Sequence, residues 1–306
     1  MQTPHSDALD VVAARARVRT AAPLVQCITN TVVQQFTANA LLAVGASPAM
    51  LDHEADAGQF ASIASGVNIN FGTASSHQFL AADAAIEVAR AAGAPWVLDP
   101  VSVGAVEYRT SRIRAAAAQH PTAVRGNASE IAALAGMGLG GRGVDSTDSV
   151  DDVLTAAAAL SATTGGIAAV SGEIDAIVLA DPGDDEAARA AAAGDRGPSG
   201  TSAAVVRVHG GHALMPLVIG TGCSLGAVTT AYLAAARSAG LPITGAAGLE
   251  AVVAAHAHFA AAGIAAGRVS SGPGSFAVAF LDALHAVTDE ELAAVRITTD
   301  SVSVPA

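Results

Sequence analysis

Apolar side chains recur along the chain at two spacings, one typical of helices and one typical of buried strands. Residues 31–44 are apolar at helical spacing and end in Gly45, which predicts a helix. Residues 66–71 and 95–99 are short apolar runs of the kind that form buried strands. Further predicted elements are a strand at 122–125 with a helix from 127, strands at 167–171 and 176–179 joined as a hairpin, and helices at 220–239, 246–266 and 275–287. Helical and extended segments thus alternate, which favours an α/β fold with a central, mainly parallel sheet flanked by helices.

The chain is expected to form a single domain over residues 1–306, with one segment of different composition. Residues 181–204 are dominated by Asp, Gly, Pro, Ser and Ala, and Asp184, Asp185 and Glu186 are adjacent. Such a segment has few side chains that could join a core. We interpret it as an exposed, mobile insertion.

Composition narrows the possible functions. Apolar residues make up 52% of the 306 residues but aromatics only 3%, so small side chains must fill the core, which suits helices packed on a parallel sheet. The formal net charge is −12 and basic residues are not clustered, which argues against nucleic acids and anionic membranes as partners. A small-molecule substrate is the expectation.

The absence of lysine excludes several mechanisms. All 15 basic residues are arginine, so the chain has no P-loop lysine and no lysine for a Schiff base or general base. Cys27 and Cys223 are far apart and outside any CxxC motif, which argues against structural zinc and fits a reducing compartment.

Neither end of the sequence predicts a membrane segment. Residues 1–20 lack the apolar run of a signal peptide and instead predict a polar, arginine-bearing helix. The alanine-rich stretches after Gly226 are interrupted by Arg237, Glu250, His256 and His258. A cytoplasmic location is therefore predicted.

The run at 220–226, Gly-Thr-Gly-Cys-Ser-Leu-Gly, is a candidate anion site. Its glycines allow a tight entry into a helix, whose first amides and dipole can hold a phosphate; an ordinary helix entry is the alternative. Cys223 would lie in the first turn, where the dipole is expected to lower its pKa and let it accept the proton of a substrate hydroxyl. A buried core cysteine is the other interpretation.

Two carboxylates are candidates for a metal site. Asp99 ends the predicted strand at 95–99, where open α/β sheets place ligand chemistry, and Glu130 lies at the start of the following helix. Mg²⁺ usually meets a protein through one or two carboxylates plus phosphate oxygens. Alternatively, Glu130 caps its helix and Asp99 is a structural hydrogen-bond acceptor.

Arg125 ends another predicted strand and could hold phosphate oxygens with two parallel donors, or form a surface salt bridge. The GxGxxG spacing at 138–143 follows a helix rather than a strand, so we interpret it as a loop and not as a dinucleotide site. His256 and His258 cannot share one helix face, which argues against a metal pair.

Eight segments in the same order resemble the motifs of hydroxyethylthiazole kinases. They are Cys27-Ile28-Thr29-Asn30, Phe36 to Leu42, Gly45 to Met50, Leu98-Asp99-Pro100-Val101, Arg125 to Glu130, Ser171 to Asp175, Gly220 to Cys223, and Gly272 to Phe276. The resemblance covers residues 23–287, nearly the whole chain.

This resemblance implies a ribokinase-like fold and a homotrimer with active sites at the subunit interfaces. The implied activity is ATP-dependent phosphorylation of the alcohol of 4-methyl-5-(2-hydroxyethyl)thiazole, with Mg²⁺. The product would be the thiazole phosphate used in thiamine biosynthesis and salvage. The rivals are a hydroxymethylpyrimidine kinase of the same fold, a silent nucleotide-binding trimer and a repair dehydratase.

The same resemblance implies the thiazole site and the catalytic residue. Met50 and Gly220 would contact the thiazole, with Asn30 nearby. Cys223 would be the catalytic residue beside the reacting hydroxyl, where relatives in the wider superfamily have Asp.

The remaining implied residues serve the nucleotide. Arg125 and Ser171 would contact ATP, and Asp99 and Glu130 would lie by Mg²⁺ and the phosphates. Ser171 stands where the family usually has Thr, and it keeps the hydroxyl.

Overall fold

The computed structural model describes residues 9–137, 150–180 and 202–305. The GxGxxG-spaced run at 138–143 lies outside these residues, and so does all of the acidic segment except 202–204.

A nine-stranded sheet forms the centre of the protein, in the order β2-β1-β3-β4-β5-β6-β7-β8-β9. The strands are β1 (Leu24–Ile28), β2 (Ser47–Ala49), β3 (Gly66–Asn70), β4 (Trp96–Asp99), β5 (Ala123–Asn127), β6 (Ile167–Ser171), β7 (Ile174–Ala180), β8 (Ser202–His209) and β9 (Ile297–Ser303). Neighbours from β2 to β6 pair in parallel, and β6 to β9 pair antiparallel. The predicted α/β class with a mainly parallel sheet is confirmed.

Helices cover both faces of the sheet. They are α1 (Val11–Ala21), α2 (Gln34–Val44), α3 (Ala57–Ala61), α4 (Ser76–Ala91), α5 (Glu107–Ala117), α6 (Ala128–Leu134), α7 (Val150–Thr164), α8 (Thr221–Ser238), α9 (Ala246–Val269), α10 (Pro273–Ala286) and α11 (Asp289–Ala293), with a 3₁₀ turn at Met215–Leu217. One apolar cluster joins the sheet to α1, α2 and α8 to α11, and the other joins it to α3 to α7. The ends of the strands, between these two layers of helices, position the candidate functional site.

Alternation along the strands divides the core into these two clusters. In β4, Val97 belongs to the first cluster, while Trp96 and Leu98 belong to the second. Successive strand residues point to opposite faces, so a strand buried on both sides carries a continuous apolar run, as the 95–99 segment does. The small side chains of α8 form part of the first cluster, among them the buried Ala231, Ala235 and Ala236.

The structure differs from the sequence predictions at the end of the insertion and in four strands that were not predicted, β1, β2, β8 and β9. The insertion predicted at 181–204 ends too late, because residues 202–204 already belong to β8, where Ala203 is fully buried and pairs with Ala180 and Val302. Strand β9 was not predicted, because its side chains are half-buried or exposed and give little apolar alternation.

Helix α9 is, within the described ranges, the one helix long and apolar enough to cross a membrane by length and composition. Of its most apolar window, 78% is buried inside the protein, which is the pattern of a core helix. Its two histidines, His256 and His258, are both buried. His258 accepts a hydrogen bond from the Tyr232 hydroxyl at 2.8 Å and donates to the Leu284 carbonyl at 2.9 Å, and burial lowers its pKa to about 3.

Candidate active site

The carboxyl ends of the parallel strands bring polar side chains together at one edge of the sheet. Asn70 at the end of β3 is paired in register with Asp99 at the end of β4, and Asn127 at the end of β5 with Ser171 at the end of β6. Parallel strands that start on the same side also end on the same side, which is why residues far apart in sequence meet here.

A cleft of about 1030 Å³ opens over this edge. It brings together six of the eight residues predicted from the sequence: Asp99, Arg125, Glu130, Ser171, Gly220 and Cys223. The volume is at the upper end of the range usual for small-molecule sites, roughly 300–1,000 Å³, and leaves room for two substrates.

The N-terminus of α8 forms one wall of the cleft. Its N-cap, Gly220, has φ 101°, a left-handed conformation that favours glycine, and offers no side chain to cap the helix. A Cβ on Gly222 would lie 2.9 Å from Nη1 of Arg125, so a side chain at this position would displace the guanidinium. The Thr221 amide donates to the Val218 carbonyl at 3.5 Å, so it is the Gly222 and Cys223 amides that can donate to an anion, next to a positive charge.

Arg125 is held in one orientation inside the cleft. It is only 8% exposed, its Nε donates to Oγ of Ser171 at 3.0 Å, and its Nη1 lies 3.6 Å from Oδ2 of Asp99. The alternative of a surface salt bridge is therefore wrong. The guanidinium is fixed by two neighbours and has edges left for a ligand.

Asp99 is a fully buried carboxylate with unused acceptor capacity. Its relative exposure is 0%, and in the described part of the chain neither carboxylate oxygen has a hydrogen-bond partner. Burial raises its pKa from 3.8 to about 7, against the lowering effect of Arg125 and together with the raising effect of Glu130. A buried carboxylate that has a cation nearby but no hydrogen bond is costly unless a ligand or a further cation completes it.

Glu130 does cap its helix. Its Oε2 accepts from the Asn127 amide at 2.9 Å, while Oδ1 of Asn127 accepts from the Glu130 amide at 2.9 Å, a reciprocal capping box. Oε1 also accepts from the Ser102 amide at 3.3 Å. The capping alternative is thus confirmed, and the carboxylate still lines the cleft.

Cys223 lies in the first turn of α8 and is partly buried. Its Sγ accepts a hydrogen bond from Nδ2 of Asn30 at 3.3 Å. The prediction of a lowered thiol pKa is wrong: burial and the negative charge of Asp99 raise it to about 11. The sequence placed the helix N-terminus correctly but could not show how close Asp99 comes.

Asn30 and Met50 stand apart from the other six residues. Asn30 reaches the site through its contact with Cys223. Met50 follows the edge strand β2 and packs against the apolar core, and it is not among the residues that line the cleft. The structure of this single chain does not bring Met50 to the others.

Two buried asparagines of β3 were missed by the sequence reasoning. Asn68 is fully buried and neither polar atom of its amide has a partner within the described residues; a Cβ added to Gly226 of α8 would lie 3.2 Å from its Oδ1. Asn70 accepts from the Gly72 amide at 2.9 Å, and its own Nδ2 has no described partner. Asparagine at alternate positions of an otherwise apolar strand is the signal that could have found them.

Comparison with known proteins agrees with this geometry. The Hydroxyethylthiazole kinase family matches residues 16–184 and 190–290. The chain is 51% identical over 276 residues to the hydroxyethylthiazole kinase of Corynebacterium efficiens, covering 90% of this chain and 92% of that one. It is 47% identical over 271 residues to that of Klebsiella pneumoniae, covering 89% and 93%.

Solved structures show the same fold. A hydroxyethylthiazole kinase protein from Pyrococcus horikoshii superposes with a TM-score of 0.77 at 29% identity, over 95% of this chain and 98% of that one. A pyridoxal kinase from Staphylococcus aureus superposes with a TM-score of 0.56 at 16% identity, over 92% and 99%, and supports the fold alone. The fold is ribokinase-like, and the chain belongs to the hydroxyethylthiazole kinase family.

Proposed function

We propose that this cleft transfers the γ-phosphate of ATP to the hydroxyl of 4-methyl-5-(2-hydroxyethyl)thiazole, the activity of the family to which the chain belongs. The observation that carries the proposal is the convergence of Arg125, Asp99 and Cys223 at the glycine-flanked N-terminus of α8. Phosphoryl transfer needs anion donors, charge neutralisation and a place for the acceptor hydroxyl, and these three residues provide them.

The nucleotide phosphates would be held by Arg125 and by the first amides of α8. Arg125 presents planar donors already fixed by Ser171, so little side-chain entropy is lost when a phosphate binds. Amides at the start of a helix stabilise the negative charge that develops around the transferred group, and these amides need not reorganise to do so.

Mg²⁺ fits the charge balance of the cleft. Arg125 is the one arginine among the described residues that line it, against the carboxylates of Asp99, Glu130, Glu173 and Asp175. A triphosphate bound in this cleft would need further positive charge. The oxygens of Asp99, which have no hydrogen-bond partner among the described residues, are ligands of the kind that Mg²⁺ prefers. Asp99 would hold the ion directly or through water, with Glu130 nearby, and the ion would neutralise phosphate charge.

Cys223 would lie beside the acceptor hydroxyl. With a pKa of about 11, its thiol is mainly protonated at neutral pH, and only the small thiolate fraction can accept a proton. A loose transition state demands little deprotonation of the alcohol before attack, so the proton can leave late, to Sγ where Cys223 is a thiolate and otherwise to the transferred phosphoryl group or water. Asn30, which donates to Sγ, would orient the sulfur and stabilise negative charge on it.

Arg125→Lys is expected to raise KM for ATP by about tenfold or more. Lysine supplies a point charge in place of a planar group, and it lacks the separate edges with which arginine bonds Ser171 and a phosphate. Steady-state kinetics at varied ATP measures the effect. Arg90→Lys, at a surface arginine that donates to Gln119, is the matched control and should behave as the wild type. An Arg125→Lys variant with wild-type KM would contradict the bidentate role.

We also propose a homotrimer with sites shared between chains. The segment before Gly220 carries the exposed side chains of Leu217 and Ile219, 64% and 69% accessible, beside the cleft. Met50 lies away from the cleft of its own chain, which supports a thiazole site completed by a neighbour.

Activity per chain is expected to fall when the protein is diluted below the dissociation constant of the trimer. Light scattering at the same concentrations should report trimers converting to monomers. Leu217→Asp should promote dissociation, because it places a charge in the proposed interface. Ile63→Asp is the matched control, since Ile63 is 67% exposed but distant in sequence from the cleft segment. A fully active monomer would rule out the shared site.

The substrate assignment can be tested by comparing acceptor alcohols. The thiazole should give the highest kcat/KM, well above a hydroxymethylpyrimidine or pyridoxal. Preference for the pyrimidine would support the rival kinase, and absence of transfer to any alcohol would support a silent nucleotide-binding protein.

The two free cysteines, Cys27 and Cys223, are consistent with the cytoplasmic location that we propose.

A further inference from the structure

A buried histidine of α9 contacts the hairpin that ends at the nucleotide side of the cleft. Nδ1 of His256 lies 2.7 Å from Oδ2 of Asp175, the second residue of β7. The imidazole is 0% exposed, and its Nε2 has no hydrogen-bond partner among the residues that the structure describes. Asp175 is therefore the single polar partner found there for a histidine placed wholly inside the core.

Asp175 in turn closes the turn between β6 and β7. Its Oδ1 accepts from the Gly172 amide at 2.9 Å, and the carboxylate lines the cleft. One oxygen thus holds the turn while the other is held by His256. Because a carboxylate only accepts hydrogen bonds, Nδ1 of His256 carries the proton of this contact.

The residue before this turn is the one that orients Arg125. Ser171 immediately precedes Gly172, and its Oγ accepts from Nε of Arg125 at 3.0 Å. A turn that tilted would carry Ser171 away from the guanidinium. Hydrogen bonds thus connect His256 to Asp175, Asp175 to Gly172 and Ser171 to Arg125, and the peptide link between Ser171 and Gly172 joins the two parts.

We infer that His256 is a positioning residue for nucleotide binding, acting through Asp175 on the 171–175 turn and so on Arg125. The inference rests on the proposed function only in assigning Arg125 to the nucleotide phosphates. His256 itself touches no substrate, because it is fully buried beneath the hairpin. A residue that does not touch the ligand can still control its binding by holding a ligand-binding side chain in one rotamer.

Three variants separate positioning from simple packing. His256→Leu removes the donor and leaves Oδ2 of Asp175 without its partner, whereas His256→Asn keeps an amide nitrogen near the position of Nδ1. His258→Leu is the matched control: His258 is also fully buried on α9, but its partners are Tyr232 and Leu284, away from the turn. The His258→Leu substitution should lower the melting temperature without changing nucleotide affinity.

Titration calorimetry with ADP, without thiazole, measures nucleotide affinity. We expect His256→Leu to weaken ADP binding by about tenfold, as loss of a charge-assisted hydrogen bond does, while His256→Asn and His258→Leu stay within about threefold of the wild type. KM for ATP should rise in His256→Leu with KM for thiazole unchanged. If His256→Leu does not fold, His256→Gln, whose amide lies farther from Asp175, takes its place and should again bind ADP more weakly than His256→Asn.

Equal ADP affinity in the wild type and His256→Leu, or an equal loss in His258→Leu, would overturn the positioning role. A wild type that binds ADP but phosphorylates no thiazole would defeat the proposed function alone, and the ADP comparison among the variants would still decide the role of His256.

Discussion

Asp99→Asn is expected to lower kcat by ~10²–10³, the range found when one preorganised electrostatic group is removed from an active site. The carboxylate oxygens have no hydrogen-bond partner among the described residues, so they are available to hold the metal. Asparagine has a similar shape but supplies one neutral oxygen where Mg²⁺ would meet a carboxylate. Steady-state kinetics at saturating ATP and magnesium measures the loss. A variant with wild-type kcat would remove Asp99 from the site.

The same substitution should stabilise the protein in the absence of metal and nucleotide. Burial raises the pKa of Asp99 from 3.8 to about 7, so the folded state binds the proton more tightly than the unfolded state does. The free energy of unfolding therefore decreases as pH rises from about 4 to about 7 and stays reduced above that. Asp99→Asn should raise the melting temperature at pH 8 but change it little at pH 4, and an equal change at both pH values would contradict this assignment.

Cys223→Ala is expected to lower kcat by ~10–10³ with little change in KM for either substrate. An interaction made mainly in the transition state produces this pattern, and a thiol with a raised pKa belongs to the weaker end of general-base effects. The melting temperature should fall only slightly, because Cys223 is partly exposed. A fully active alanine variant would leave Cys223 as a packing residue.

Cys223→Asp separates catalysis from packing. Burial and Asp99 would raise the pKa of a carboxyl at this position as they raise that of the thiol, but from a much lower starting value. A larger fraction would be ionised at neutral pH, so kcat should be kept or increased. A folded but inactive aspartate variant would contradict a role for this position in accepting the proton.

The cleft could be predicted because its residues belong to local patterns. Asp99, Arg125 and Ser171 each lie at or near the end of an apolar strand, and parallel strands end at one edge of the sheet. The glycine run before Cys223 likewise marked the start of α8. These features depend on neighbours in sequence, so the sequence alone reveals them.

Other features depend on contacts between distant segments. The pKa of Cys223 is set by burial and by Asp99, more than 100 residues away in sequence, and the local helix dipole gave the wrong direction. The contact between His256 and Asp175 joins α9 to β7 and has no sequence signature. The strand residues 202–204 resembled the insertion because alanine and serine fit either environment.

The most direct test of the account is the dependence of ADP release on the thiazole alcohol. With wild-type protein, ATP and magnesium, ADP should form in equal amount with phosphorylated 4-methyl-5-(2-hydroxyethyl)thiazole, and should be nearly absent without the alcohol. Arg125→Lys and Asp99→Asn should reduce both products in parallel. ADP release that does not depend on the thiazole, or no ADP release when the thiazole is present, would contradict the assignment of this cleft as a thiazole kinase site.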